Sequence, residues 1–230
     1  MALDFKNFSV ITFDCYGTLI NWEVGILGAL QPILKKYGRS LSDAGILELY
    51  STFEPQIQSG PYRPYREVLA EIVRRFGAKL VFTPTQQEID SLAESIKDWP
   101  PFGDTSAGLR KLKTKYKLAI ISNIDDDLLA YSLRLIGVPF DFLITAQQAK
   151  SYKPSHNNFN LALKKIGLPK EKVLHAAESL YHDVAPANEL GIANVWVNRR
   201  GGKPGATKDV AARPNLEVPD IKTLAEVATK

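Results

Sequence analysis

Two rhythms alternate along most of this chain. Short runs of β-branched and apolar residues, each closed by a polar residue or glycine, are separated by stretches whose apolar residues recur every three or four positions. The runs Val10–Phe13, Leu118–Ser122, Phe142–Thr145, Val173–Ala177 and Ala193–Val197 predict buried strands, with Leu216–Val218 as a last edge strand. Helical spacing fills the gaps: Leu109–Lys115 ends a short helix, and Leu128–Ile136, Phe159–Ile166 and Val184–Leu190 predict three more. Gly167 and Gly191 stand where helices stop. Strands joined by helices of this length predict an α/β fold, a Rossmann-like parallel sheet with helices on both faces.

The alternation is interrupted once. From Asn21 to Trp99 the pattern is helical throughout. One stripe runs over Leu27, Leu30, Ile33 and Leu34, and a second follows Ser42 with Ile46, Leu47, Tyr50 and Phe53. Pro61 and Pro64 break the pattern. A third stripe uses Val68, Leu69, Ile72 and Val73, and a fourth helix spans about Thr85 to Ile96, with Thr83 or Thr85 as its cap. Residues 1–20 and 100–230 therefore predict the α/β core, and residues 21–99 an inserted all-helical cap over the carboxyl edge of the sheet. Gly201–Gly205 reads as a loop.

Composition adds bounds. Of 230 residues, 45% are hydrophobic and 23% charged, the balance of a globular protein. The net charge of +4 suits a small anionic substrate. The densest basic run, Lys111, Lys113, Lys115 and Lys117, alternates with Leu112 and Tyr116 as a solvated surface does, so no nucleic-acid partner is expected. No apolar run reaches the roughly 20 residues of a membrane span, and the N-terminus does not read as a signal peptide. Cys15 is the only cysteine, so no intrachain disulfide forms. A cytoplasmic protein is the expectation, with Cys15 a buried and inert thiol.

Polar residues gather at the strand ends. The first strand ends at Asp14, with Gly17 for a sharp turn and then Thr18. The second ends at Ser122–Asn123, the loop after the third carries Lys153, and the fourth is followed by Glu178 through Asp183. In a parallel sheet these ends lie along one edge and meet in one pocket. A carboxylate, a hydroxyl to orient it and an ammonium to keep it ionised form a nucleophilic constellation. Of the histidines beside it, His175 reads as a satisfied core residue and His182 as a neighbour of Asp183 or an exposed helix start.

The segments Asp14-Cys15-Tyr16-Gly17-Thr18, Ile121-Ser122-Asn123, Tyr152-Lys153-Pro154 and Glu178 through Asp183 resemble the four motifs of the haloacid dehalogenase superfamily, over essentially the whole chain. The insert resembles its cap domain. Phosphatases of the superfamily have a second Asp where this chain has Tyr16. Asp-x-Tyr-Gly-Thr resembles the L-2-haloacid dehalogenase branch, as does Val195-Trp196-Val197-Asn198-Arg199. An alkoxide leaving group needs the proton that the second Asp supplies, whereas a halide leaves unaided.

The resemblance implies a two-step hydrolysis. Asp14 displaces halide from C2 of a short 2-haloacid to give an ester, and water, with help from Asp183, releases a 2-hydroxyacid. It further implies that Lys153 lowers the pKa of Asp14 and Asp183. Thr18, Ser122 and Asn123 would hold the nucleophile and the substrate carboxylate, with no cofactor required. Related enzymes are often homodimers; the sequence leaves that open. Three departures from the branch stand out. Its halide-receiving cap arginine has no clear counterpart, since Arg39 reads as a turn residue and Arg63 or Arg66 would have to swing in. Glu178 and Leu180 replace Ser and Asn, and Phe159 replaces a tyrosine. Glu178 with Asp183 resembles the acidic pair of magnesium-dependent phosphatases, so a Mg2+ site made by Asp14, the Tyr16 carbonyl, Glu178 and Asp183 is a second reading. A silent binding protein of the same fold is a third. Trp22, Tyr50, Tyr62 and Tyr65 are candidate lining residues from the cap.

Overall fold

A computed structural model describes residues 3–201 and 210–230. In chain order its strands are β1 (Val10–Phe13), β2 (Lys117–Ser122), β3 (Phe142–Thr145), β4 (Val173–Ala177), β5 (Ala193–Val197) and β6 (Leu216–Val218). They form one sheet in the order β3-β2-β1-β4-β5-β6, every described pairing parallel. Alternate residues face opposite sides. Ile11, Phe13, Leu118 and Ile120 join one apolar cluster, while Val10, Ala119 and Ile121 join clusters on the other face. Burial on both faces is what a parallel sheet covered by helices requires. The expected edge strand Leu216–Val218 is present as β6, while most of the expected loop after Arg200 lies outside the described residues.

Four helices directly follow β1: α1 (Trp22–Lys36), α2 (Asp43–Gln58), α3 (Tyr65–Leu80) and α4 (Gln86–Ser95). The remaining six are α5 (Thr105–Lys113), α6 (Asp126–Ile136), α7 (Ala146–Ala149), α8 (His156–Ile166), α9 (Ala185–Glu189) and α10 (Ile221–Ala228). Of the two threonines expected to start α4, Thr85 does so, in a reciprocal capping box with Glu88. The helix expected over Val184–Leu190 is present as α9, and the segment before it is wound as well. Leu180–Val184 is a π-helical turn whose start is capped by Ser179 Oγ, and Pro186 opens α9 behind it. Such wide turns recur at functional sites because they re-aim side chains; here the turn carries Asp183.

Helix α3 begins after Pro64, which offers no side-chain cap. The cap comes instead from the far side of the sheet edge. Asp125, in the loop after β2, accepts from the Tyr65 and Arg66 backbone N–H groups through its two oxygens, each at 2.9 Å. Tyr152 Oη donates to the Arg63 carbonyl at 2.8 Å, and Arg66 pairs with Asp127 at 2.7 Å on the surface. The inserted helices are thereby fastened to the strand-end loops, in closest register with the loop that follows Ser122. Asp125→Ala is expected to lower the unfolding free energy by about 1–2 kcal/mol, the worth of a charged helix cap. Asp127→Ala should cost under about 1 kcal/mol because that pair is exposed. Urea unfolding of the two variants checks the order, and equal losses would mean that the buried cap is energetically idle.

Candidate active site

Asp14 follows β1 at the centre of the sheet, between the ends of β2 and β4, where the chain reverses its direction of spread. Gly17 holds φ at +94°, and a Cβ there would stand 3.1 Å from Trp22 Nε1. The turn then returns Thr18, whose Oγ1 donates to Asp14 Oδ2 at 2.9 Å and accepts from the Glu178 backbone N–H at 2.9 Å. Strand ends β1 and β4 are thus stitched through one hydroxyl.

Lys153 occupies the middle. It is 2% exposed, and its Nζ donates to Asp14 Oδ1 at 2.8 Å, Asp183 Oδ1 at 2.6 Å and the Ile121 carbonyl at 2.9 Å. All three donor hydrogens of the ammonium are used. Asn123 makes no hydrogen bond to Asp14 among the described residues. Its amide is spent on the Lys153 backbone, accepting from the N–H at 2.7 Å and donating to the carbonyl at 3.1 Å, so it fixes the loop that delivers the lysine. Ser122 Oγ is buried, lines the pocket and has no hydrogen-bond partner among the described residues.

His175 is the residue behind Asp183. It pairs in register with Thr12 of β1; its Nδ1 lies 2.8 Å from Thr12 Oγ1 and its Nε2 2.9 Å from Asp183 Oδ1. A carboxylate only accepts, so Nε2 carries a hydrogen. Phe159, in place of the tyrosine the resemblance implies, packs edge-on against this imidazole at 5.2 Å. His175 is a satisfied core residue as expected, but one whose bond aims a site carboxylate.

The charges of the cluster are unequal. Burial pushes Asp183 up, but Lys153 and His175 outweigh it and hold the carboxyl at about 2. Asp14 departs from the lowering that its lysine neighbour predicts. Burial raises it first, Asp183 adds to the rise, and Lys153 offsets only part. Burial alone would lower Lys153, yet the two carboxylates keep it above its ordinary range. Burial brings His182 down to about 4. Burial also raises the Cys15 thiol well above its usual value, with the charge of Asp14 adding to it.

The pocket is small, about 40 Å³, and Asp14, Ser122, Lys153, Asp183, Tyr16, Trp22, Tyr65, Glu54 and Glu178 are among its lining residues. Trp22 and Tyr65 reach it as expected of the inserted helices. Tyr50 stands behind Glu54, bonded to it, and Tyr62 lies against Tyr152 outside the lining. The guanidinium expected from the insert is not supplied by Arg39, Arg63 or Arg66. Arg39 donates to the Val81 carbonyl, where Val81 ends α3 at φ +58°, Arg66 goes to Asp127, and Arg63 faces an outer groove. Arg200 reaches a lining residue, pairing with Glu23 at 3.0 Å and Glu178 at 3.6 Å. Arg199 is structural: it donates to the Thr18 carbonyl, forks onto Asp104 and lies over the Phe102 ring.

A magnesium site needs carboxylates that converge. Glu178 faces Arg200 and is pushed to about 7, by burial first, with Arg200 opposing and Asp14, Glu23 and Asp183 adding. Asp14 and Asp183 give oxygens to Lys153. Among the described residues no three His, Cys, Asp or Glu side chains form a metal-holding group. The donor set as placed does not fit the ion. Tyr16, at the position of the phosphatase acid, shares a hydrogen bond with Ser132 at 2.9 Å, and burial holds its phenol well above its ordinary range.

A family model described as "haloacid dehalogenase-like hydrolase" matches residues 8–191, most of the chain and every motif in the pocket. The chain belongs to that hydrolase family. It is 25% identical to an (S)-2-haloacid dehalogenase of Pseudomonas putida over 97% of this chain and 96% of the relative. A haloacetate dehalogenase H-2 of Moraxella sp. (strain B) is 26% identical, with 96% and 98% covered. The crystal structure of L-2-haloacid dehalogenase from Xanthobacter autotrophicus with chloropropionic acid covalently bound superposes with a TM-score of 0.80 at 18% identity, covering 96% of this chain and 98% of that one. The fold of this hydrolase is therefore that of the dehalogenase structures, and it is an enzyme. No described helix is long and apolar enough to cross a membrane.

Glu54 of this hydrolase escaped the sequence reading. Its signal was present: in α2 the buried positions are Ile46, Tyr50, Glu54 and Ile57, a carboxyl set into an otherwise nonionic stripe. Burial raises it to about 6 against the hydrogen bonds of Tyr65 and Tyr50. A carboxyl raised from 4.5 in this way favours folding while it is protonated and loses that contribution as pH climbs through about 6. The loss amounts to about 2 kcal/mol by neutral pH. Glu54→Gln should therefore gain stability relative to wild type as pH rises from about 4.5 to 7. Urea unfolding across that range checks it; parallel stability curves would show that Glu54 meets no burial penalty.

Proposed function

We propose that this hydrolase displaces halide from a short 2-haloacid with Asp14 as nucleophile, the inserted helices 21–99 closing the pocket as a cap. The observation that carries the reading is the buried Lys153 joined to both Asp14 and Asp183. With Oδ1 held by an ammonium and Oδ2 by Thr18, the Asp14 carboxylate is fixed in orientation. Burial, with Asp183 adding, keeps it more basic than an ordinary aspartate. Attack at C2 from behind the halogen forms the Asp14 ester bond and breaks the carbon–halogen bond, whose electron pair leaves with the halide. No proton donor is required, which suits a site whose position 16 is a phenol bonded to Ser132.

Hydrolysis then needs a water at the Asp14 carbonyl carbon. Asp183 supports it as a positioning group: Oδ1 is locked by Lys153 and His175, while Oδ2 is buried and takes no hydrogen bond from the described residues. Ser122 Oγ, also without a partner, is the donor for the substrate carboxylate. The proton released from water goes to solvent with the halide, and a 2-hydroxyacid results. The names of the relatives and the covalently bound chloropropionic acid in the superposed structure support this reading. The chemistry calls for no metal or organic cofactor.

Halide release from 2-chloropropionate by wild type and by Asp14→Asn tests it. The variant is expected to fall below about a thousandth of wild type, as removal of a nucleophile does. Mass spectrometry of quenched wild type should show the substrate acyl group on the Asp14 peptide. Halide release that persists in Asp14→Asn would dismiss the mechanism.

A further inference from the structure

The pocket meets its substrate from two sides, and the side built by the inserted helices carries a carboxyl. Glu54 lines the pocket with Asp14. Its Oε1 lies 2.5 Å from Tyr65 Oη and 3.3 Å from Tyr50 Oη, and the two phenols are 2.9 Å from each other. Tyr65 donates the short bond to Oε1. Oε2, which takes no hydrogen bond from the described residues, is left for the proton of the acid form.

We propose that Glu54 sets the substrate charge that the pocket accepts, standing in for a guanidinium: with its proton it donates a hydrogen bond to an anionic substrate, and without it, it repels that anion. The surroundings support this. Tyr50 of its own helix, Tyr65 of α3 and Tyr152 of the loop before α8 face it as neutral phenols. From the strand ends come Asp14, Asp183 and Glu178, with His182 held neutral above about pH 4. Among the described residues Lys153 is the one cation lining the pocket, and its three hydrogens are committed. Neutral donors left for an anion include Ser122 Oγ and Trp22 Nε1, both buried and without a partner among the described residues, and Glu54 itself. Ionisation of Glu54 removes one donor and adds a second negative charge, and burial places that change near pH 6.

The turnover arm of the test rests on the haloacid reading above; the binding arm does not. In wild type, KM for 2-chloropropionate, ionised throughout, is expected to rise about tenfold per pH unit between about pH 6 and 8, with kcat little changed. In Glu54→Gln, which keeps a donor and cannot ionise, KM should stay flat. In parallel, calorimetry with L-lactate and L-lactamide on wild type should show lactate binding that weakens over the same range while lactamide binding does not, and this arm needs no folded variant. A pH-independent lactate affinity, no lactate binding at pH 5, or the same slope in Glu54→Gln overturns the proposal; the last outcome would assign the titration to Glu178. Absence of any halide release with the expected lactate behaviour removes the dehalogenase reading and leaves the role of Glu54 standing.

Discussion

The ammonium of Lys153 is the constraint on which the rest is arranged. A cation 2% exposed is tolerated in a protein interior only if every hydrogen finds an acceptor and the charge is neutralised nearby. Here two carboxylates and a carbonyl meet both conditions, each drawn from a different strand end. The count does not close: two carboxylates share one ammonium, so one negative charge is in excess. Hydrogen bonding decides where it resides. Asp183 has His175 as well as Lys153 and is stabilised as an anion, whereas burial leaves Asp14 the more basic of the two. The acid less stabilised as an anion is the one placed to attack, and the imidazole of His175 in β4 helps to sort the two acids into their roles.

The sheet makes this sorting possible because strand order places three different loops within a few ångströms of Asp14. β2 on one side brings Ser122 and the Ile121 carbonyl, and β4 on the other brings Thr18 its partner in the Glu178 N–H. β3 lies one strand further out, so its loop must travel inward to deliver Lys153, and Asn123 clamps that loop by both backbone groups. Arg199, beyond β5, ties the Thr18 turn to Asp104. Residues that resemble catalytic groups in the sequence thus divide into those that touch the reacting atoms and those that hold the loops.

The fold was legible in the chain because its signals are local and repeated. Four- and five-residue apolar runs, glycine stops and proline breaks each report on a few neighbours, and every one of the expected strands stands where its run placed it. The strand-end polar residues were legible for the same reason, since a parallel sheet gathers its carboxyl ends whatever the strand order. The roles within the site were less so. Asn123 looks like a ligand of the nucleophile in sequence and serves the lysine loop in space. Arg63 and Arg66 are candidates by charge alone, and the entry angle of α3 turns them outward. Glu54 could have been found from a carboxyl in a buried stripe, but its phenol partner Tyr65 comes from the next helix, a packing that no spacing within α2 announces. The pKa of Asp14 depends on burial summed over the whole pocket, which a neighbouring lysine does not foretell.

The two amides that open α3 belong, in hydrogen-bonding terms, to the other half of the molecule. Pro64 cannot serve them and Asp125 does. The insert consequently has no complete third helix of its own: its first turn is finished only while it rests on the sheet edge. A displacement of α3 from the sheet edge would give up both of these bonds together, so the third helix of the insert is finished by a residue of the core.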